Sequence, residues 1–375
     1  MTILRVIIDD MLSPTPGGTS RYTEELAAAL IQAAPRGCTV EGFVAASSEP
    51  DYQRIAQRLP GLTALHKSAL ARRELMAAWQ HGFTRLPGNG MLHATSLFAP
   101  LSRHDRLNDG DQVAVTVHDT IAWSHPESLT PRTVAWHKSM LKRAEKYADA
   151  VVVPSHTVAA QLGEIADFGE RIRVIAGAPS EALALPSDAD ERAAALELPS
   201  RYVFSVGGIE PRRGIDQLIR AMNRVHDDVP LLLAGHGSTD EAIAAAAAEA
   251  GLAEGRVRSL GTLSDPDLAV ALARATVFAY PNLEEGFGMP MLEAFAQGTP
   301  VIHSDAPALV ELAADAGIVV ERDAEDYPVR LADAVNSVLD DAQLAERLKY
   351  FGLDRAKAFT WRGAAEQVWN LHADL

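Results

Sequence analysis

Short apolar segments rich in β-branched residues alternate with helical segments along almost the whole chain. The predicted strands include "LRVIID", "QVAVTVHD" and "DAVVVPS" in the first half, and "YVFSVGG", "PLLLAG" and "TPVIHSD" in the second. Several of these runs are continuously apolar, as expected for parallel strands that helices cover on both faces. The alternation occurs twice. It therefore predicts an α/β protein with two doubly wound, Rossmann-like domains.

One segment interrupts the alternation. Residues 178–200, "APSEALALPSDADERAAALELPS", are rich in Pro, Ser and Asp, and we interpret them as the linker. A chain of 375 residues has the length of about two domains of ordinary size. We therefore place an N-terminal domain at residues 1–180 and a C-terminal domain at residues 181–360.

Composition excludes several classes of protein. The single cysteine, Cys38, excludes a disulfide framework and fits a reducing compartment. The net charge of −16 lies entirely in the second half, because residues 1–180 hold 18 basic and 18 acidic residues. This distribution disfavours nucleic-acid binding, which needs a basic surface. No apolar run approaches the roughly 20 residues of a membrane-spanning helix, and the N-terminal apolar run is too short for a signal peptide.

Ligands of doubly wound sheets bind beyond the carboxyl ends of the strands. After the predicted strand "TVFAYPN" comes "EEGFGMPMLEAFAQG", with Glu285 and Glu293 eight residues apart. Proline at the first position and glycine after the last predict a helix from about Pro290 to Gln297. The start of such a helix favours phosphate, whereas a carboxylate beside it suits the two hydroxyl groups of a ribose. Glu285, on the loop itself, is a candidate ligand for sugar hydroxyl groups.

A second strand end carries glycines and cations. Gly207 and Gly208 follow "YVFSV" and allow the backbone to approach a ligand. Arg212 and Arg213 then lie at the turn into the next predicted helix. Two adjacent guanidinium groups there are suited to bind a pyrophosphate and to neutralise charge as it leaves.

The string "EGFGMPMLE" resembles the E-x7-E motif of the GT4 family of retaining glycosyltransferases, which have the GT-B fold of two Rossmann-like domains facing a cleft. The resemblance implies that Glu285 and the backbone of Phe287, Gly288 and Met289 hold the donor sugar. It implies that Glu293 holds the nucleotide ribose. Family members typically have Arg-Lys at 212–213, so the second arginine here matches in charge but not in geometry.

Other segments match the family in the same order along the chain. Gly17 and Gly18 form a turn before a helix that we expect to start near Ser20. The loop "GGTSRY" is similar to the GG-x-x-R-Y loop that contacts the donor phosphate and the acceptor, which makes Gly17 and Gly18 candidates. In "TVHDT", His118 matches a histidine that contacts the donor sugar, and Asp119 either orients it or caps the next turn. Leu260 matches the backbone that meets the nucleobase. The final "FTW" signature predicts that a helix over residues 361–375 returns to the N-terminal domain.

The resemblance implies a hexosyltransferase that uses a nucleotide diphosphate sugar, with no covalent enzyme intermediate, no other cofactor and no metal. In this route His118, Glu285, Arg212 and Arg213 are the catalytic candidates. The "GGxxRY" and "HD" segments together are similar to bacterial mannosyltransferases that use GDP-mannose in polysaccharide or glycolipid assembly. The implied partners are the donor and a glycan or lipid-linked acceptor, and the implied location is the cytoplasm, with at most peripheral membrane contact through the first domain.

Several alternatives remain open. The donor is either GDP-mannose or a UDP-sugar, and a GT-B sugar-nucleotide 2-epimerase or a non-catalytic binding protein shares the ligand. Asp265 and Asp267 form a D-x-D triplet, but Asp265 before Pro266 is read as a helix cap, not a metal ligand. His93 and His125 are weaker candidates for the acceptor side. The predicted helix "KSALARRELMAAWQHGFTRL" has Met76, Trp79 and Phe83 on one face, and the predicted helix "PRTVAWHKSMLKRAEKYA" has Lys138, Lys142 and Lys146 on one face. These two helices either pack on the sheet or form a membrane-facing surface, and we favour packing.

Overall fold

The structure is a computed structural model, and it describes residues 2–13, 17–83, 90–226, 228–235, 239–322 and 325–375. The chain divides into two compact units. Unit 1 comprises residues 1–177 and 360–375, and unit 2 comprises residues 178–359. Among the helices described, none is long and apolar enough to cross a membrane.

Unit 1 is built on a parallel sheet. Its strands are β1 (Thr2–Ile7), β2 (Cys38–Ala46), β3 (Ala64–Ala71), β4 (Met91–Ala94), β5 (Gln112–Thr116), β6 (Ala150–Val153) and β7 (Ile172–Val174). Its helices are α1 (Gly18–Gln32), α2 (Glu49–Arg58), α3 (Arg72–His81), α4 (Arg106–Asp109), α5 (Ile121–Ser124), α6 (Pro131–Tyr147) and α7 (His156–Ile165). The strand order is β3-β2-β1-β4-β5-β6-β7, so the winding reverses between β1 and β4. The reversal leaves room for a ligand beyond the ends of these two strands.

The last helix of the chain also belongs to unit 1. We number it α16 (Trp361–Asp374), after the helices of unit 2. The indole N–H group of Trp369 donates a 3.1 Å hydrogen bond to the carbonyl group of Leu30, on α1. Trp361 and Trp369 are both buried, so α16 closes one face of the sheet of unit 1.

The segment from Lys67 to Leu86 is not one helix as predicted. Its first residues, up to Ala71, form the end of β3, and the helix begins only at Arg72. Trp79 is buried, with its ring 4.3 Å from that of Phe98. Phe83, predicted on the same face as Trp79, is 82% exposed because the helix has already ended. The predicted positions 84–86 lie outside the described residues.

Unit 2 has the same plan. Its strands are β8 (Val203–Val206), β9 (Leu231–Ala234), β10 (Val257–Gly261), β11 (Val277–Tyr280), β12 (Val301–Ser304) and β13 (Ile318–Val320). Its helices are α8 (Ala189–Ala195), α9 (Ile215–Ala221), α10 (Asp240–Glu249), α11 (Asp265–Arg274), α12 (Met289–Ala296), α13 (Pro307–Ala313), α14 (Tyr327–Asp340) and α15 (Ala342–Ala356). The order β10-β9-β8-β11-β12-β13 places the reversal between β8 and β11. Both sheets are parallel and doubly wound, as the alternation of segments predicted.

Two local predictions in unit 2 need correction. The segment read as a linker contains α8, whose Arg192 forms a 2.9 Å ion pair with Asp267 of α11. Asp265 is not the cap of α11, because the side chain of Ser264 accepts the hydrogen bond from the amide of Asp267. The aspartates of the D-x-D triplet therefore belong to a helix start that is fixed by a serine and an arginine.

Candidate functional site

In unit 2, the loops that follow β8 and β11 lie against each other. The amide of Leu283 donates a 2.7 Å hydrogen bond to the carbonyl group of Arg212. A Cβ atom on Gly214 would lie 2.4 Å from the carbonyl oxygen of Pro281, so only glycine fits this approach. The two loops carry the arginine pair and Glu285, and this contact brings the candidates of two separate motifs into one place.

Glu285 is held by two hydrogen bonds. The hydroxyl group of Tyr280 donates at 2.9 Å and the side-chain amide of Asn282 donates at 2.8 Å, both to Oε2. Burial, followed by the charge of Glu285, raises the pKa of Tyr280, so this hydroxyl group stays protonated and remains a donor. Asn282 is fully buried, and its backbone carbonyl group accepts a hydrogen bond from the Ser304 hydroxyl group. The bonds from Tyr280 and Asn282 fix the direction of the Glu285 carboxylate, and neither of these two bonds uses Oε1.

Helix α12 begins at Met289 and ends at Ala296, one residue earlier at each end than predicted. Its cap, Gly288, has φ of +102°, and a Cβ atom there would lie 2.7 Å from Cδ2 of Leu309. A glycine cap has no side chain to satisfy the first amide groups of the helix. The side chain of Phe287 packs edge-on against Phe359, with the ring centroids 5.8 Å apart, so this side chain is engaged in packing.

The second carboxylate of the motif, Glu293, is 5% exposed on α12. Gly208 follows β8, where its carbonyl group accepts a 2.9 Å hydrogen bond from the amide of Glu210. Leu260 is half-buried on β10. The sheet is parallel, so the carboxyl ends of β8, β10 and β11 all lie on the same side of it. The structure thus places the unit 2 candidates at the carboxyl ends of the strands of one sheet.

Glu210 forms ion pairs with both Arg212 and Arg213, the predicted ligands of the diphosphate. Its Oε2 atom lies 3.3 Å from Nη2 of Arg212 and 3.4 Å from Nε of Arg213. The two side chains are 14% and 26% exposed, so both are largely withdrawn from solvent. Gly207 has φ of +142°, and a Cβ atom there would lie 3.1 Å from the Arg213 side chain. The glycine therefore leaves room for the guanidinium group beside the strand end.

In unit 1, His118 follows β5 and lies at the end of the sheet. Its Nε2 atom is 2.8 Å from the carbonyl oxygen of Thr95, which can only accept. The proton of the neutral ring is therefore on Nε2, and Nδ1 is an acceptor. Burial lowers the pKa of His118, which favours this neutral form. The ring packs edge-on against Tyr22 at 4.7 Å, and Tyr22 in turn packs against Trp361 of α16 at 5.6 Å.

The glycine loop of unit 1 is more helical than predicted. Helix α1 starts at Gly18, two residues before the expected Ser20, and Gly17 is its cap. Cβ atoms added at Gly17 and Gly18 would meet no atom of the described structure within 4 Å. Packing among the described residues therefore does not require glycine at either position. Asp119 caps the next turn, since its Oδ1 atom accepts a 3.0 Å hydrogen bond from the amide of Ile121.

A cavity of about 570 Å³ opens beside His118 within unit 1. Asp10 lines it and is buried, bound by Arg72 and by a 2.6 Å hydrogen bond from the Ser96 hydroxyl group. Arg72 also pairs with Asp9 and lies over the ring of Phe98 at 4.6 Å. No sequence pattern indicates this cluster, because Asp10, Arg72 and Ser96 lie far apart along the chain.

His93 does not line this cavity. It is fully buried on β4, with its ring centroid 5.6 Å from that of His372 on α16. Neither ring nitrogen of His93 has a hydrogen-bond partner in the part of the chain that the structure describes. Burial lowers its pKa to about 4. The expectation that it faces an acceptor is wrong, because strand β4 directs it into the interior.

Tyr280, Asn282, Glu210 and Thr95 were also missed. Tyr280, Asn282 and Thr95 each support a predicted residue through one hydrogen bond, Glu210 supports two through ion pairs, and no motif distinguishes them. The one available signal was the proximity of Glu210 to the arginines along the chain. For metals, the described ranges contain no group of three or more His, Cys, Asp or Glu side chains arranged as a site.

Comparison with known families matches both units. Residues 16–178 match the model of Glycosyltransferase Family 4, and residues 187–355 match that of Glycosyl transferases group 1. The chain is 34% identical over 175 residues to O-antigen chain mannosyltransferase B of Escherichia coli, covering 46% of this chain and 45% of that protein. It is 28% identical over 309 residues to phosphatidyl-myo-inositol mannosyltransferase of Mycobacterium leprae (strain TN), covering 76% of this chain and 80% of that protein.

A solved structure gives the same architecture. HepE of Anabaena, in complex with UDP and glucose, aligns over 100% of both chains with a TM-score of 0.72 and 18% identity. Identity at this level shows the fold alone. By contrast, the alignment to the first relative spans about half of that protein's length. The α/β fold of two Rossmann-like units is thus the GT-B fold, as the sequence resemblance implied.

Proposed function

The chain is a glycosyltransferase with a family 4 domain followed by a group 1 domain, and on that premise we propose the reaction that it catalyses. It transfers a hexose, with mannose favoured, from a nucleotide diphosphate sugar to a hydroxyl group of a glycan or glycolipid acceptor. The observation that carries the proposal is the contact of the Glu285 loop with the arginine loop, through Leu283 and Arg212. It supports the proposal because it joins the loop that carries Glu285 to the loop that carries two cations suited to a diphosphate.

For the sugar, Glu285 is the principal ligand. Tyr280 and Asn282 direct its carboxylate through Oε2, and we assign Oε1 to a sugar hydroxyl group. The backbone of Phe287, Gly288 and Met289 supplies further donors. Positioning of the sugar before reaction is worth several kcal/mol, roughly, when the reacting atoms are held in line.

The leaving diphosphate is assigned to Arg212 and Arg213, with the backbone at Gly207 and Gly208 and the first amides of α12. Cations that stabilise a leaving phosphate accelerate transfer, because the charge develops in the transition state. Glu293 then binds the ribose, and the backbone at Leu260 meets the base. Glu210 holds both guanidinium groups in place until the donor arrives.

In unit 1, we assign His118 to a donor hydroxyl group. Its protonated Nε2 donates to Thr95, so the ring meets the sugar through Nδ1 as an acceptor. Gly17 and Gly18 are assigned to the approach of a ligand, since the packing of the described chain does not itself demand glycine there.

Transfer proceeds with retention of configuration. The acceptor hydroxyl group attacks from the face that the nucleotide leaves, and a phosphate oxygen of the donor takes its proton. This route needs no covalent enzyme intermediate, and so no nucleophilic side chain. We propose that it also needs no metal, since the arginines supply the positive charge. The activity should then survive EDTA.

The comparisons support two candidate donors. The names of the two relatives are those of mannosyltransferases, which favours GDP-mannose as the donor. The Anabaena protein was solved with UDP and glucose, which supports a UDP-sugar as the second candidate. A thermal-shift panel of UDP, GDP, ADP and their sugars separates these donors, because a ligand that binds the folded state raises its melting temperature.

A sugar-nucleotide 2-epimerase is the alternative reaction. It would change the donor without an acceptor, whereas a transferase releases nucleoside diphosphate when the acceptor is added.

For location, we propose the cytoplasm, with at most a peripheral membrane contact through unit 1. Lys138, Lys142 and Lys146 are exposed at intervals of four on α6, which supports such a contact.

A further inference from the structure

The cavity of unit 1 carries positive charge that the protein does not neutralise. Arg73 of α3 and Arg132 of α6 both line it, and both residues are exposed. Within the described ranges, neither arginine has a carboxylate partner. Two guanidinium groups on separate helices thus face one space of about 570 Å³, a volume in the range of small-molecule sites.

The acidic side chains of the cavity do not cancel this charge. Asp10 is bound by Arg72, which also pairs with Asp9, so this cluster is internally compensated. Asp119 is the remaining carboxylate of the lining, and it accepts the amide of Ile121. The two free arginines therefore outweigh the one carboxylate, and the cavity as a whole favours an anion.

The other walls suit a sugar or polyol. Trp136 and Phe98 provide aromatic surface, and Ser96 and Thr116 provide hydroxyl groups. Thr116 is 1% exposed, and its hydroxyl group lies beside that of Tyr22. Aromatic walls with a few convergent polar groups are typical of carbohydrate-sized sites.

We propose that this cavity binds the acceptor, and that the acceptor carries a phosphate group on or beside the sugar or polyol that receives the hexose. Arg73 and Arg132 bind the phosphate, since guanidinium groups match its geometry and charge. His118 also lines the cavity, and in this assignment it lies beside the ring that carries the accepting hydroxyl group. That the bound molecule is the acceptor of the transfer rests on the proposed function. The binding site itself is tested without any transfer.

The test is a calorimetric titration of the full chain. The background is Arg212→Ala with Arg213→Ala, which weakens the binding of phosphate at the proposed donor site. The probes are mannose 6-phosphate as a monoester and glycerophospho-myo-inositol as a diester, each compared with neutral mannose or myo-inositol. We expect at least one phosphorylated probe to bind about tenfold more tightly than its neutral counterpart, because the arginines form charge-assisted hydrogen bonds with its phosphate group. The monoester arm indicates a free sugar phosphate, and the diester arm indicates a lipid-headgroup type.

Two further variants locate the binding. Arg73→Gln with Arg132→Gln should weaken the phosphorylated probe about tenfold and leave the neutral probe unchanged. Lys138→Gln with Lys142→Gln removes the same charge from exposed positions of α6 outside the cavity lining, and should leave both probes unchanged. The inference is overturned if neither phosphorylated probe exceeds its neutral counterpart, or if the lysine pair costs as much as the arginine pair. Failure of the proposed function would appear elsewhere, as loss of nucleotide-sugar binding or transfer by the unmodified chain.

Discussion

The hydroxyl group of Tyr280 donates a 2.9 Å hydrogen bond to Oε2 of Glu285, and so ties the last residue of β11 to the first carboxylate of the donor motif. Tyr280 is 2% exposed, which removes competing water from this bond. The bond therefore orients the Glu285 carboxylate.

We expect Tyr280→Phe to reduce transfer about tenfold, because a hydrogen bond to a charged group is worth roughly 1.5–3 kcal/mol and part of this orients Glu285. Nucleotide affinity should change little. The matched control is Tyr202→Phe, which removes a buried 2.7 Å bond to the carbonyl group of Ala271 elsewhere in unit 2. Steady-state transfer assays should show a loss for the first variant alone, and equal losses would refute the orienting role.

The fold could be predicted to a large extent because its strands are local signals. Runs such as "AVVV" at β6 are buried on both faces and read directly from the sequence. Strand β3, "ALHKSALA", was missed because alternate residues are exposed at this edge of the sheet and the segment has few β-branched residues. Pairing with β2, a contact distant in sequence, decides its structure.

The site was predictable only where its residues are contiguous. Glu285 and Glu293 stand in one string, so their pattern was visible. The Thr95 carbonyl group that fixes the tautomer of His118 lies 23 residues away. A backbone carbonyl group has no sequence signal at all. The same holds for Arg72, which meets Asp9 and Asp10 only after α3 packs against β2 and β3.

The arginine pair is tested by nucleotide binding. Arg212→Ala and Arg213→Ala should each weaken nucleoside diphosphate binding about tenfold or more and nucleoside monophosphate binding less, since they act on the second phosphate. Calorimetry with GDP, UDP and the matching monophosphates measures this difference. Arg201→Ala, which breaks an exposed pair with Asp228, is the control. Unchanged diphosphate affinity in both variants would refute the assignment of Arg212 and Arg213 to the diphosphate.

The protonation of His118 has a direct spectroscopic test. Burial lowers its pKa below the ordinary 6.5, so the ring stays neutral above that pH. Nitrogen NMR should show a protonated Nε2 and an unprotonated Nδ1 at pH 7.5, with the signals assigned by their loss in His118→Ala. A protonated Nδ1 at this pH would mean that the ring offers a donor to the sugar, contrary to the proposal.

Acid should destabilise unit 1 through His93. Its folded pKa of about 4 lies below the ordinary 6.5, so the unfolded state binds the proton more readily. Stability should fall as the pH drops from about 6.5 towards 4, by up to about 3 kcal/mol for this group. His93→Leu should flatten this part of the curve of melting temperature against pH. His226→Leu, at an exposed histidine, should not. If His93→Leu keeps the full acid loss, the buried ring is not its cause.

The central claim is sugar transfer with retention at a site that depends on Glu285. The direct measurement is proton NMR of the product formed from GDP-α-mannose and an α-mannoside acceptor, with wild type and Glu285→Ala. We predict an α-linked product and release of GDP from wild type. Glu285→Ala should form no product, while its affinity for GDP stays within a few-fold of wild type. A β-linked product, or a fully active Glu285→Ala variant, would contradict the account.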